Sequence, residues 1–124
     1  MARQWFVDAV NLDPKDPRAA IGLYRTYYDA REPIPDSALL TLEGGFDHSS
    51  HDPGYRMILA RQLLDENRGK AARSVLAPLA FSAHKQDEAN KIAKVVEEID
   101  AGKVQDARTT MAAIFAEQKE SAED

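Results

Sequence analysis

Two histidines and two aspartates lie within one short segment, Asp47-His48-Ser49-Ser50-His51-Asp52. Imidazole nitrogens and carboxylate oxygens are ligands that Zn²⁺ accepts, and the spacing of His48 and His51 would place them on one face of a helix. The segment also follows Gly44-Gly45 and precedes a proline, a context typical of a polar loop in which Asp52 caps the next helix. The loop is the favoured interpretation, and a small metal-dependent or hydrolytic enzyme is an alternative.

Other catalytic patterns do not occur in the sequence. It has no nucleophile elbow, phosphate-binding glycine loop or zinc-protease motif, and Gly44-Gly45 lacks the strand-loop-helix context of a phosphate loop. Carboxylates are numerous, but a solvated charged surface explains them. His84 stands alone beyond a predicted helix end and has no catalytic role. We therefore expect no enzymatic activity, no cofactor and no functional metal site.

Composition narrows the classes of partner. The 124 residues are 44% hydrophobic and 30% charged, which is enough for one folded domain, and the net charge of −5 disfavours nucleic acid. The absence of cysteine excludes disulfides and thiolate zinc sites. No apolar run approaches the ~18 residues of a membrane span, and residues 1–20 lack a signal-peptide pattern. If Met1 is the native start, the expected location is the cytoplasm.

The segment 52–83 has the hydrophobic pattern of two helices folded into an antiparallel hairpin. A turn at Asn67-Arg68-Gly69 separates the helices, and Gly69 is expected in the left-handed conformation that ends a helix. We predict that four leucines are all buried in this hairpin: Leu59, Leu63, Leu76 and Leu79. The two apolar stripes are Tyr55, Ile58, Leu59, Leu63, Leu64 and Ala71, Ala72, Val75, Leu76, Leu79, Ala80.

The hairpin pattern repeats along the chain. An alanine followed by an apolar stripe recurs at Ala38, Ala72 and Ala107, a period of about 34 residues that indicates helical-hairpin repeats. Asp16-Pro17 and Asp52-Pro53 each place Asp at the N-cap and Pro at the first helical position.

These features resemble the tetratricopeptide repeat (TPR) family. The segment Phe6-Val7-Asp8-Ala9-Val10-Asn11-Leu12-Asp13-Pro14 resembles the end of a repeat's second helix, and the central repeat matches the family's packing positions at Leu59-Ala60, Leu63, Ala72, Leu76 and Leu79. Three residues depart from the pattern: Arg56 stands where an aromatic is usual, Leu79 where a small alanine is usual, and Pro78 interrupts the second helix. The chain also resembles C-terminal repeat regions of larger bacterial proteins. The resemblance implies an all-α, right-handed superhelix of about three hairpins plus a leading helix.

Residues 1–116 are predicted to form a single TPR-like domain. Residues 1–15 would be the second helix of an incomplete repeat, followed by repeats at 16–51, 52–84 and 85–116 and by a flexible acidic tail at 117–124. Local signals add three expectations. Asp36 should cap the second helix of its repeat, that helix should be short, bent or ended at Gly44-Gly45, and Pro78 should kink or break its helix.

Superposing the first helices of the three repeats on Tyr24, Ala60 and Ala93 aligns a base with an acid four residues later. The bases are Arg25, Arg61 and Lys94, and the acids are Asp29, Asp65 and Glu98. Surface i,i+4 ion pairs are the simplest interpretation. The resemblance to TPR implies instead that these positions line a concave groove that suits a peptide or a partner helix. The predicted groove residues are Arg25, Tyr28, Met57, Arg61, Leu64 and Lys94.

The favoured function is a non-catalytic protein-interaction scaffold whose groove binds a peptide or partner protein. An alternative is a structural region that packs on an N-terminal enzymatic domain of a longer protein. The beginning of the chain adds a further expectation, because Leu23 and Tyr27 alone cannot cover Trp5, Phe6, Val10 and Leu12. Either upstream residues cover the remaining apolar face, or the chain forms a symmetric homodimer through residues 1–12.

Overall fold

The computed structural model describes residues 2–81 and 86–123, and this part of the chain contains α-helices, one 3₁₀ helix and no strand. The predicted all-α class is therefore confirmed, while the right-handed superhelix stays a prediction. None of the described helices is both long and apolar enough to cross a membrane. The α-helices are α1 (Ala2–Leu12), α2 (Pro17–Tyr28), α3 (Asp36–Gly45), α4 (Pro53–Asp65), α5 (Gly69–Ala80), α6 (Gln86–Asp100) and α7 (Val104–Glu123), with the 3₁₀ helix at Phe46–His48.

The chain divides into two compact units, Met1–Tyr55 and Arg56–Asp124, with the boundary near the start of α4. In the first unit α1 packs on α2 and α2 packs on α3. Asp16 caps α2 as predicted, since its carboxylate accepts a hydrogen bond from the Arg18 backbone N–H and Pro17 follows it. The Phe6 ring of α1 packs directly on α2 at Gly22, where an added Cβ would lie 2.1 Å from the ring.

Arg3 also joins α1 to the end of α2. Its guanidinium lies 4.0 Å from the centre of the Tyr27 ring and donates a hydrogen bond of 3.1 Å to the Thr26 carbonyl. It also pairs with the Glu32 carboxylate just beyond α2. These contacts determine which side of α1 faces α2. The opposite side of α1 faces away from α2.

The ends of α3 were predicted in part. The helix ends at Gly45, as the glycine pair indicated, and continues as the 3₁₀ helix. The N-cap prediction was wrong, because the cap is Pro35, which makes no side-chain hydrogen bond, and Asp36 is the first helical residue. A carboxylate in the first turn still interacts favourably with the positive end of the helix dipole.

Tyr55 fills the space that Gly45 leaves open. The Tyr55 hydroxyl donates a hydrogen bond to the Leu42 carbonyl, and a Cβ on residue 45 would lie 2.4 Å from the hydroxyl oxygen. Tyr55 is buried, and burial raises its pKa because the charged phenolate is disfavoured away from water. A glycine that weakens α3 thus makes room for a buried tyrosine.

The raised pKa of Tyr55 predicts a loss of stability at alkaline pH. Above pH ~10 the phenol of the unfolded chain loses its proton while that of the folded chain keeps it, so the free energy of unfolding falls as pH rises, by at most ~1.4 kcal/mol per pH unit. Urea unfolding between neutral and alkaline pH should show a shallower decline for Tyr55→Phe than for the parent. Tyr27→Phe, which leaves Tyr55 in place, should keep the parental slope, and an unchanged slope in Tyr55→Phe would contradict this account.

In the second unit α5 packs on α6 and α6 packs on α7. Leu59, Leu63 and Leu76 are buried as predicted. Leu79 is half-buried, so the fourth leucine of the prediction was wrong. It lies in the last turn of α5, immediately after Pro78, where the helix is about to end.

The turns of the second unit use different residues from those expected. Asn67, with φ of 60°, takes the left-handed conformation assigned to Gly69; asparagine tolerates this region better than most residues. Gly69 begins α5, and a Cβ there would lie 3.3 Å from Ile99 and 3.4 Å from Val104. In the turn before α7, Gly102 has φ of 78°.

Pro78 does not break α5, which continues to Ala80, so that alternative in the prediction was wrong. The proline lies in the last turn, so the one bond that it removes, from residue 78 to the Ser74 carbonyl, is lost near the end of the helix. Arg56, at the start of α4, donates a hydrogen bond of 2.9 Å to the Val75 carbonyl in the turn before the proline. Pro78 itself cannot donate to the Ser74 carbonyl, and Arg56 adds a donor at the carbonyl next to it.

The last helix extends further than the hydrophobic pattern indicated. Residues from 117 onward, predicted to be a flexible tail, belong to α7 as far as Glu123. Lys91 on α6 pairs with Glu117, and this hydrogen bond raises the pKa of Lys91. His84, considered above, lies outside the described residues.

Candidate protein-binding surfaces

The histidine segment is a capped loop. His48 and His51 are exposed, and Ser49 donates a hydrogen bond of 2.8 Å to the Gly45 carbonyl. Asp52 caps α4 as predicted, because its carboxylate accepts from the backbone N–H groups of Gly54, at 2.9 Å, and Tyr55, at 3.3 Å. Among the described residues, no group of three or more His, Cys, Asp or Glu side chains could hold a metal ion.

The six predicted groove residues are divided between the two units. Arg25 and Tyr28 lie in the first unit, and the other four lie in the second. Met57 and Leu64 are buried, so in this structure their side chains contact the protein itself and not an open surface. The buried residues of α4 lie on more than one side of the helix and include the polar Gln62. The prediction assumed that only one side of α4 faces inward.

Of the three predicted i,i+4 ion pairs, only the first forms among the described residues. Arg25, on the exposed side of α2, and Asp29, at its end, form their ion pair, with 3.8 Å between Nε and Oδ2. No ion pair joins Lys94 to Glu98 in the part of the chain that the structure describes: Lys94 is exposed, whereas Oε1 of Glu98 is buried.

In the central repeat both members of the predicted pair contact α7 instead. The Arg61 guanidinium lies 4.2 Å from the centre of the Phe115 ring, a cation–π geometry. Asp65 accepts from Arg108, with 3.2 Å between Nε and Oδ1. In the second unit, α7 therefore lies beside α4 as well as α6. Residues 43 positions or more apart in sequence make these contacts, so a local i,i+4 rule could not find them.

The outward side of α1 carries large apolar side chains, as predicted. Trp5 is 65% exposed and Leu12 is 88% exposed, whereas Phe6 and Val10 are partly buried. Together with Ala9, Trp5 and Leu12 form a line along the helix at spacings of i, i+4 and i+7, which we call the α1 stripe. The Trp5 and Phe6 rings pack edge to face, with 4.9 Å between their centres. Phe6 therefore supports the Trp5 side chain.

Two acidic residues beside the α1 stripe were not identified from the sequence. Asp8 and Asp13 are both exposed. Gln4 donates a hydrogen bond of 2.9 Å to one oxygen of Asp8, and one oxygen of Asp13 accepts from the Lys15 backbone N–H at 3.1 Å. Plotting α1 at ~100° per residue around the stripe, rather than considering only its buried side, would have shown them.

Comparisons with known proteins give no assignment: no family model, no curated protein and no solved structure matches the chain. The resemblance to TPR therefore stays a prediction.

Proposed function

We propose that this protein is a non-catalytic interaction scaffold of TPR-like helical hairpins, which binds a segment of a partner protein through the first helices of its hairpins. The observation that carries the proposal is that the three aligned bases keep access to solvent. Arg25 and Lys94 are exposed and Arg61 is half-buried. Within the second unit, a helical framework that presents Arg61 and Lys94 at matched positions of α4 and α6 suits a segment that carries carboxylates.

The contact with Phe115 supports a binding role for Arg61. Stacking on the ring holds the guanidinium in one position, so little side-chain freedom remains to be lost when a carboxylate binds. Planar guanidinium groups also bind carboxylates through two parallel hydrogen bonds. Tyr28, partly exposed on α2, would add an aromatic contact of the kind enriched in protein interfaces.

The proposal is tested by charge reversal. Peptides selected against the intact chain from a displayed random library should bind about tenfold more weakly to Lys94→Glu and Arg61→Glu. The matched control is Lys103→Glu, which reverses an exposed charge in the turn before α7 and should change affinity less than about twofold. Affinities are measured by fluorescence anisotropy, and thermal unfolding verifies that each variant is folded. Equal losses at all three sites would indicate non-specific electrostatics and overturn the proposal.

A further inference from the structure

The α1 stripe is a second surface, distinct from the aligned bases. The contacts of Arg3 and Phe6 with α2 use the other side of the helix. Trp5 and Leu12 consequently have no cover within the described residues. A tryptophan on a rigid helix, already supported by Phe6, has the character of an interface anchor, because little side-chain freedom is lost when a partner covers it.

The flanks of the α1 stripe determine which partner fits. At ~100° per residue, Asp8 lies on one side of the stripe and Asp13 on the other. The Asp13 backbone N–H still donates to the Ala9 carbonyl at 3.0 Å, so the helical turn continues to this residue. Arg3 is the basic residue of α1, and Tyr27 and Glu32 engage it on the α2 side. The stripe is therefore apolar at its centre and acidic on both flanks.

A second copy of this chain fits the stripe poorly. In an antiparallel pair of identical helices, like flanks meet, so Asp8 would face Asp8 of the other copy. In a parallel pair the two flanks would meet each other, and both are acidic. Like charges placed opposite each other in an interface cost affinity, and the net charge of −5 on each chain adds repulsion.

We propose that the α1 stripe is a docking site for an amphipathic helix of another protein, whose apolar face covers Trp5 and Leu12 and whose flanks carry Lys or Arg against Asp8 and Asp13. Ala9, between the two large side chains, lets the partner backbone approach closely. The binding mode is that of a helix laid along an apolar surface with anchors at i, i+4 and i+7.

The test uses two synthetic peptides of about 18 residues, long enough to form a helix. Both carry the same leucine stripe; one has lysine on both flanks and the other has glutamate. Fluorescence anisotropy should show that the lysine peptide binds at least about tenfold more tightly than the glutamate peptide. Trp5→Ala and Asp8→Lys should each weaken binding of the lysine peptide about tenfold.

Matched controls lie in the second unit. Phe81→Ala removes another exposed aromatic, and Asp106→Lys makes the same charge change as Asp8→Lys on an exposed residue of α7. Both should leave affinity within about twofold. Equal losses in Asp8→Lys and Asp106→Lys would overturn the proposal, as would insensitivity to Trp5→Ala. Concentration-dependent dimerisation of the parent that Trp5→Ala abolishes would assign the stripe to a second copy and also overturn it.

Discussion

Replacing Leu76 by alanine is expected to lower the free energy of unfolding by about 3–5 kcal/mol. Leu76 is 0% exposed and lies on α5, which packs on α6 in the second unit. The truncation removes apolar surface from the core and leaves a cavity that the neighbouring side chains fill only in part, because close-packed interiors relax little.

The control for Leu76→Ala is Leu40→Ala. The two substitutions remove the same atoms from helices, but Leu40 is 69% exposed, so its truncation should change the free energy of unfolding by less than about 0.5 kcal/mol. Urea unfolding followed by circular dichroism gives both values, and Leu63→Ala should resemble Leu76→Ala. A loss below about 0.5 kcal/mol for both Leu63→Ala and Leu76→Ala would show that the second unit is not packed as described.

Gly22→Ala is expected to destabilise the first unit by about 2–3 kcal/mol, although alanine is the better helix former. An added Cβ would lie 2.1 Å from the Phe6 ring, a distance that requires the ring to move, either by rotating against Trp5 or by a shift of α1. Arg3 resists this movement because it ties α1 to Tyr27 and Glu32. Fluorescence of Trp5, the single tryptophan, reports the position of α1 during urea unfolding.

Gly44→Ala is the control for this prediction. Residue 44 is also a helical glycine, but a Cβ there meets nothing within 4 Å, so the substitution should stabilise α3 by up to about 1 kcal/mol. The double variant Phe6→Leu/Gly22→Ala should lose less stability than the sum of its single variants, because the smaller side chain relieves the clash. Strict additivity would mean that the two residues are not in contact.

Hydrophobic periodicity predicted the helical class and the order of the helices, because each helix buries a stripe of apolar residues. It could not predict how many sides of a helix are buried. Met57 and Leu64, seven residues apart, lie on one side of α4. Leu59 lies on another side, and all three are buried, since α4 is surrounded by more of the protein than the hairpin pattern implies. The burial of a helix depends on which elements surround it, and that information is not local.

Two helix caps were predicted correctly from the sequence, whereas the left-handed turn residue and the central ion pair were not, and the reason is related. Asp16 and Asp52 are caps whose partners lie two or three residues away, so sequence alone suffices to identify them. The choice of Asn67 over Gly69 for the left-handed position depends on where α5 begins, and Gly69 is the first residue of that helix, close to Ile99 and Val104. Likewise, Arg61 stacks on Phe115 and not beside Asp65 because α7 brings that ring within reach.

The hydrogen bond from Arg56 to the Val75 carbonyl relates two exceptions to the repeat pattern. The TPR pattern usually has an aromatic residue where this chain has Arg56, and it has no proline at the position of Pro78. In the sequence these two differences look independent. In the folded chain they meet in one turn of α5, because the proline cannot donate to the Ser74 carbonyl and the arginine donates to the next carbonyl, that of Val75. The two departures therefore change the hydrogen bonding of neighbouring carbonyls, and an aromatic residue at position 56 would leave this turn of α5 without its bond from α4.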